Sequence, residues 1–148
     1  MKGGIYLILL ALDFSLDTPI YQQIRNQIVL GIAEGRLLPG EKLPPIRLLA
    51  EETGVNVMTV NKAYQLLKQE GYLITDRRNG ATIQPSLAEH ALTSAASISK
   101  SSDAYRTLRL LLSELYVNGV PKEELLAACS EIYDELTNSN PPDGIKCT

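Results

Sequence analysis

The side chains best suited to binding chemistry in this sequence are amides, hydroxyls and cations that lie between residues 56 and 78. Amides and hydroxyls can hydrogen-bond to the edges of nucleic-acid bases, and Lys and Arg can pair with phosphates. No paired acid and base, nucleophile motif, phosphate-cradling glycine loop or metal-ligand set is visible, so we expect neither an enzyme nor a cofactor. The groups concerned belong to Asn56, Thr59, Asn61, Lys62, Gln65, Gln69, Arg77 and Arg78.

The first six of these groups share one side of a predicted helix within residues 54–71. The apolar residues of this stretch recur at spacings of three and four, which places them on the opposite side of an α-helix. Asn56 can cap the helix through its side-chain oxygen, and Gly71 can end it in the left-handed conformation. A solvated surface helix would show the same pattern, so the neighbouring segments must decide. The apolar residues are Val60, Ala63, Tyr64 and Leu67.

A second short helix is predicted just before it, over residues 44–53. Pro45 suits the first turn of this helix, and the Leu48-Leu49-Ala50 run supplies its apolar contacts. The link from Thr53 to Asn56 holds a glycine, and a tight turn of this kind is typical of a helix-turn-helix. The second helix of such a motif enters the DNA major groove.

An earlier helix is predicted from Asp17 to Gly35, because isoleucines recur every four residues along it. Asp17 or Thr18 would cap it, with Pro19 near its first position. The stretch after this helix carries the turn residues Pro39 and Gly40. The isoleucines are Ile20, Ile24, Ile28 and Ile32.

Two short strands are predicted after the helix-turn-helix, over residues 72–76 and 81–84. Asn79-Gly80 between them is a strong hairpin signal. The hairpin forms a wing whose tip carries Arg77 and Arg78, placed to reach phosphates or the minor groove. The alternative is a solvated, charged turn.

Composition and charge are those of a globular protein with an uneven charge distribution. Apolar residues make up 45% of the 148 residues and charged ones 21%, which argues against disorder. The net charge of −3 argues against nucleic acid, yet residues 18–85 carry eight Lys or Arg and six Asp or Glu, whereas residues 86–148 carry five and nine. Only a local positive surface is needed to bind DNA.

Cysteine usage favours a reducing compartment. Cys129 and Cys147 match no metal motif, and His90 stands alone. Cys129 lies on an apolar helical stripe and is predicted to be a core residue. A disulfide is not required, so we expect a cytoplasmic protein.

The N-terminal residues 1–17 form an apolar arm of open function. The apolar run from Ile5 to Leu12 is too short to cross a bilayer, which needs ~20 apolar residues. We favour an arm, a strand or translation from an upstream start over an export signal, because no small-x-small cleavage pattern follows. No membrane association is expected.

The C-terminal part is predicted to contain a linker over residues 86–101, a helical domain over 102–137 and a polar tail over 138–148. Ser101 or Ser102 would cap the first helix, Asn118-Gly119 would close it, and Pro121 would open the second. This helical hairpin cannot bury its apolar stripes alone, so we expect it to form a homodimer. The predicted interface comprises Leu108, Leu111, Leu112, Leu115, Leu125, Cys129, Ile132, Tyr133 and Leu136.

Residues 18–84 resemble the winged-helix domain of the GntR family of bacterial transcription regulators. The fold is therefore expected to be mainly α with a small β-wing. The short acidic C-terminal domain is also similar to the YtrA-type branch, whose members dimerise through it and often control transporter operons. The matching residues are Pro19-Ile20-Tyr21, Gln23-Ile24, Leu38-Pro39-Gly40, Leu43-Pro44, Arg47, Leu49-Ala50, Gly54-Val55, Thr59-Val60, Ala63-Tyr64, Leu67, Gly71 and Gly80.

The resemblance also implies roles for individual residues. It adds Arg47 and the wing residue Gly80 to the DNA contacts, and it gives Asn56, Thr59 and Asn61 the same role. The chain departs from the commoner pattern where many members carry arginine, at Val57 and Asn61. The preferred operator should therefore differ, with Asn61 suited to adenine.

The function expected from sequence is sequence-specific binding of a two-fold DNA operator by a homodimeric repressor of a transporter or metabolic operon. The alternative is a protein-interaction module that uses the winged helix as a scaffold. A small-molecule effector of unknown identity would have to bind at the dimer interface or between linker and wing. Two helices alone can hardly enclose the ~300 Å³ that a ligand pocket needs.

Overall fold

The computed structural model describes residues 12–78, 80–87 and 98–139. The chain divides into two compact units, Met1–Glu89 and His90–Thr148. The apolar run of the N-terminal arm lies outside the described residues except for Leu12. Most of the linker with His90, the hairpin residue Asn79, and all of the tail beyond residue 139 with Cys147 also lie outside them.

The described part of the N-terminal unit contains three helices and a two-stranded wing. Helix α1 spans Ile20–Ala33, α2 spans Ile46–Thr53 and α3 spans Val57–Gln69. Strands β1, Leu73–Asp76, and β2, Gly80–Ile83, are antiparallel, with Leu73 opposite Ile83 and Asp76 opposite Gly80. A single bridge from Lys42 to Thr82 adds the segment before α2 to this sheet. The predicted winged helix is confirmed.

The core of this unit lies where α1, α2, α3 and the wing meet. The apolar stripes that predicted the helices supply most of it, because each stripe faces the others. Ile20, Tyr21 and Ile32 of the α1 stripe pack at its margin, half-exposed. The buried apolar residues are Ile24, Ile28, Leu37, Leu43, Leu49, Ala50, Val55, Val60, Ala63, Tyr64, Leu67, Leu73, Ala81 and Ile83.

The start of α1 differs from the prediction. Neither Asp17 nor Thr18 caps the helix: Pro19 occupies the N-cap position, and no side chain caps the first turn. The backbone of this region is held instead by Gln23, which is 7% exposed. The Gln23 amide donates to the carbonyls of Asp13 and Thr18, each at 2.8 Å, and its oxygen accepts from the Asp13 N–H at 2.9 Å. A buried amide thus ties the preceding segment to α1, while the first-turn N–H groups of the helix receive no side-chain cap.

The segment before α1 is further organised by a local turn. The carboxylate of Asp13 accepts hydrogen bonds from the hydroxyl and the backbone N–H of Ser15. These bonds favour the charged form and lower the pKa of Asp13 below its usual value. Leu12 packs against the core from the same segment.

Both glycines predicted to end the helices of the helix-turn-helix adopt left-handed backbone conformations. Gly54 follows α2 with φ +70°, and Gly71 follows α3 with φ +86°. Residues with a Cβ rarely adopt this conformation, so glycine permits the sharp turn between α2 and α3. The turn then leads directly into Asn56, the N-cap of α3.

The described part of the C-terminal unit, residues 98–139, contains two helices. Helix α4 spans Asp103–Val117 and α5 spans Lys122–Ser139, two residues beyond the predicted end. Ser102 caps α4 by accepting from the Tyr105 N–H at 3.1 Å, and α4 ends at Asn118 and Gly119 as predicted. Neither helix contains a buried residue.

The prediction that Cys129 is a core residue is wrong for the subunit taken alone. Its thiol is exposed, and Ile132 and Tyr133 of the same stripe are also exposed. The periodicity correctly predicted an amphipathic helix, but neither of the two described helices of this unit buries a residue, so the stripe is not packed within the described residues.

Candidate nucleic-acid interface

Helix α3 presents a polar side to solvent because its apolar side is fully committed to the core. Val60, Ala63 and Leu67 are completely buried, and Tyr64 nearly so. At 100° per residue, positions 58, 62, 65 and 69 lie on the side opposite this set. All four are exposed. The exposed side contains no carboxylate within the first turn, so it can approach an anionic partner without repulsion.

Contacts from both other helices of the unit fix the orientation of α3. The hydroxyl of Tyr64 donates to the carbonyl of Pro44, just before α2, at 2.8 Å. At the far end of α3, Arg25 of α1 pairs with Glu70 at 2.9 Å and also lies over the Tyr72 ring. The helix is thus held at its middle and at its C-terminal end, which fixes the direction of its exposed side.

Asn56 caps α3 as predicted. Its Oδ1 accepts a hydrogen bond from the Met58 N–H at 2.8 Å. Recognition of adenine by an asparagine uses both the oxygen and the nitrogen of the amide. The cap occupies one lone pair of the Asn56 oxygen, so the second lone pair and the amide nitrogen remain for another partner.

Asn61 and Thr59 differ from Asn56 in this respect. Both are half-exposed, and neither side chain hydrogen-bonds to another residue in the described part of the chain. The amide of Asn61 therefore retains its full set of donors and acceptors. Of the two asparagines at this surface, Asn61 is the one whose amide has no hydrogen-bond partner among the described residues.

Lys62 has an intramolecular contact that the sequence did not predict. Its ammonium lies 3.9 Å from the centroid of the Tyr21 ring, on α1. A cation over an aromatic face at an exposed site gains about 0.5–1 kcal/mol. The side chain remains exposed, so the ring holds its charge at the edge of the polar side of α3 without removing it from solvent.

The three predicted arginine contacts lie on two elements of the unit. Arg47 is exposed in the first turn of α2, and Arg77 and Arg78 are exposed in the connection between β1 and β2. None of the three forms an ion pair within the described residues. Gly80 begins β2 with φ +68°, so its backbone needs a residue without a Cβ. These cations are available for phosphates.

Met58 belongs to this surface although it was not among the predicted contacts. Its side chain is 73% exposed, in the first turn of α3 and on the side opposite the core. The helical spacing from Val60 and Ala63 could have placed it there. The sequence left two interpretations of Met58 open, a contact with a base step or a methyl group and a partly exposed surface residue, so Met58 was not among the predicted contacts.

The C-terminal unit offers a groove but no enclosed pocket among its described residues. The groove runs along α4 with a volume of about 320 Å³ and is open to solvent. Tyr105, Leu108 and Leu112 line it together with Tyr116. The described residues contain no group of three or more side chains that could hold a metal ion, and no helix among them is long and apolar enough to span a membrane.

A helix-turn-helix with an exposed polar second helix, followed by a two-stranded wing, defines the winged helix-turn-helix class of DNA-binding proteins. The chain belongs to the gntR family of bacterial regulatory proteins, whose model matches residues 19–83. It is therefore a DNA-binding transcription regulator. The proteins it resembles carry the names of regulators rather than enzymes.

Similarity to one relative extends over nearly the whole chain. The HTH-type transcriptional repressor YtrA of Bacillus subtilis is 32% identical over 135 residues, which cover 91% of this chain and 100% of YtrA. The HTH-type regulator YdeL of the same organism is 39% identical over 69 residues, 47% of this chain but only 15% of YdeL. The similarity to YdeL therefore concerns one domain, whereas that to YtrA includes both units.

Solved structures support the same architecture. The transcriptional antiterminator from Listeria monocytogenes EGD-e superposes with a TM-score of 0.70 at 31% identity, covering 85% of this chain and 90% of that one. The GntR-family factor YtrA from Sulfolobus acidocaldarius has a TM-score of 0.54 at 34% identity, covering 74% and 98%. Both similarities extend beyond the winged helix.

Proposed function

We propose that this protein is a cytoplasmic homodimeric repressor that binds a two-fold DNA operator and controls a transporter or metabolic operon. The observation that carries the dimer is the C-terminal unit, in which neither helix has a buried residue. Exposed apolar surface of this extent is typical of an interface between subunits. A symmetric dimer would present two copies of α3, matching two half-sites about one helical turn apart.

The exposed residues of the winged helix divide into phosphate contacts and base contacts. Arg47, Arg77 and Arg78 supply phosphate contacts, which provide affinity without sequence preference. Asn56, Thr59 and Asn61 supply contacts to base edges, with Asn61 selecting adenine. Lys62 adds a cation at the edge of the groove, held there by Tyr21. The regulatory role as a repressor rests on the similarity to YtrA, a protein named as a repressor.

The wing is tested by replacing Arg77 and Arg78 together by alanine. Operator DNA is first obtained by selecting binding sequences from a random duplex library with the unaltered protein. Affinity for the selected duplex and for an unrelated duplex is then measured over a range of salt concentrations. Both affinities should fall, and the salt slope should flatten by about 0.9 for each phosphate that the variant no longer neutralises.

The matched control is the double replacement of Lys100 and Lys122, both exposed in the C-terminal unit. It removes the same net charge outside the winged helix and should leave the salt slope unchanged. Equal slopes for the wing variant and the unaltered protein would contradict the role of the wing. Failure to enrich any sequence would contradict operator binding itself.

A further inference from the structure

The first turn of α3 exposes two neighbouring apolar side chains on an otherwise polar surface. Val57 is 45% exposed and Met58 is 73% exposed. Residues in the first turn of a recognition helix are those that contact base edges in the major groove. Of the two, Met58 lies on the side opposite the buried residues Val60 and Ala63, at the centre of the exposed side of α3.

The backbone around Met58 fixes where its side chain begins. The Met58 N–H is bound to the cap residue Asn56, so the helix does not fray at this position. The side chain itself is long, unbranched and polarizable, and it adapts to irregular surfaces. The backbone at Met58 is fixed and its apolar side chain is flexible, a combination that suits a contact in a groove of fixed shape.

The major groove offers one prominent apolar feature, the C5-methyl group of thymine. We propose that Met58 reads this methyl group and thereby selects thymine in each half-site, next to the adenine selected by Asn61. The two residues are three positions apart and therefore neighbours on the helix surface. The half-site should then contain adjacent A·T pairs. This inference rests on the proposed operator binding and assigns the specificity of that same surface.

The test removes only the methyl group. In the duplex selected by the unaltered protein, each thymine is replaced in turn by deoxyuridine, in both half-sites together. At one of these positions, the replacement should lower the affinity of the unaltered protein by roughly four-fold per half-site, which corresponds to the transfer free energy of one buried methyl group. The Met58→Ala protein should bind the thymine duplex more weakly by a similar factor and should show no further loss with deoxyuridine at that position.

Two comparisons make the result specific. Met58 is exposed and alanine favours helices, so Met58→Ala should keep the helical content and unfolding temperature of the unaltered protein. Leu30→Ala removes an exposed apolar side chain of α1. Tyr21 of α1 contacts Lys62 and Arg25 contacts Glu70, so α1 runs in the same direction as α3. Leu30 follows Arg25 along α1 and therefore lies beyond the C-terminal end of α3, far from its first turn. This variant should respond to deoxyuridine like the unaltered protein.

The possible failures are distinguishable. If no duplex is enriched by the unaltered protein, operator binding is wrong and this inference falls with it. If a duplex is enriched but deoxyuridine has no effect at any position, or affects the unaltered and Met58→Ala proteins equally, thymine reading by Met58 is overturned while operator binding stands.

Discussion

The two units of this chain use the same kind of amphipathic helix with opposite outcomes. In the N-terminal unit the apolar stripes of α1, α2 and α3 meet the wing, and fourteen of the described hydrophobic residues are buried. In the C-terminal unit α4 and α5 have stripes of comparable length, yet no residue of either helix is buried. Periodicity alone therefore does not tell whether a stripe is covered by its own chain.

The difference separates intrinsic stability from stability that requires assembly. A stripe buried within the subunit stabilises the fold at any protein concentration, whereas an exposed stripe stabilises only when another surface covers it. The winged helix should unfold as an independent unit, and the C-terminal helices should depend on subunit concentration. Four experiments test this contrast, beginning with the one of largest expected effect.

Ile28→Ala should lower the free energy of unfolding of the winged helix by about 2–5 kcal/mol, because it leaves a cavity among fully buried neighbours. Urea unfolding followed by circular dichroism would measure this loss of free energy. The matched control is Leu30→Ala in the same helix, which should change the free energy by less than about 0.5 kcal/mol. Equal losses for both variants would mean that α1 is covered on more than one side.

Leu111→Glu combined with Ile132→Glu should raise the dimer dissociation constant by at least roughly 100-fold, about 2.8 kcal/mol, since it places carboxylates in the proposed interface. Both residues are more than half exposed in the subunit, so the winged helix should unfold as before. Sedimentation at several concentrations measures the dissociation constant. Leu110→Glu, on another side of α4, serves as the control, and an unchanged dimer in the double variant would refute the interface.

Gln23→Leu should lower the free energy of unfolding by about 1–2 kcal/mol, because it removes three hydrogen bonds to the segment before α1. Proteolysis near Phe14 should become faster. Gln22→Leu is the control, since this neighbouring amide makes only a 3.4 Å contact with the Tyr21 hydroxyl. If both variants behave alike, the Gln23 amide does not anchor the segment.

The smallest effect is expected when the N-caps of α3 and α4 are replaced. Asn56→Ala and Ser102→Ala should each cost about 1 kcal/mol of helix stability. The loss at Asn56 should be independent of protein concentration, whereas the loss at Ser102 should vary with it, because α4 depends on assembly. Thermal unfolding at two concentrations distinguishes them, and a concentration-dependent loss at Asn56 would remove the contrast between the units.

Much of the fold could be predicted because local signals agree with the tertiary structure. The spacing of Val60, Ala63, Tyr64 and Leu67 predicted both the helix and its buried side, and Asn56 and the two helix-ending glycines were correctly placed. The wing was predicted from a turn signal between two short apolar stretches. These features depend on residues close together in sequence, so a single sequence reveals them.

The features that escaped prediction depend on residues far apart in sequence. Gln23 anchors Asp13 from ten positions away, and its amide carries no periodic signal. Lys62 lies over Tyr21 only because α1 packs along α3. Cys129 looked like a core residue because a stripe does not state what covers it.

The exposed thiol of Cys129 gives this protein a built-in reporter of its own assembly. In a separated subunit the thiol should react freely with an alkylating reagent, and in the proposed dimer the opposing helices should slow that reaction. With Cys147 replaced by serine, the alkylation rate measured across a dilution series would follow the exchange between the two states. The same measurement with operator DNA present would show whether DNA binding and subunit pairing are energetically linked.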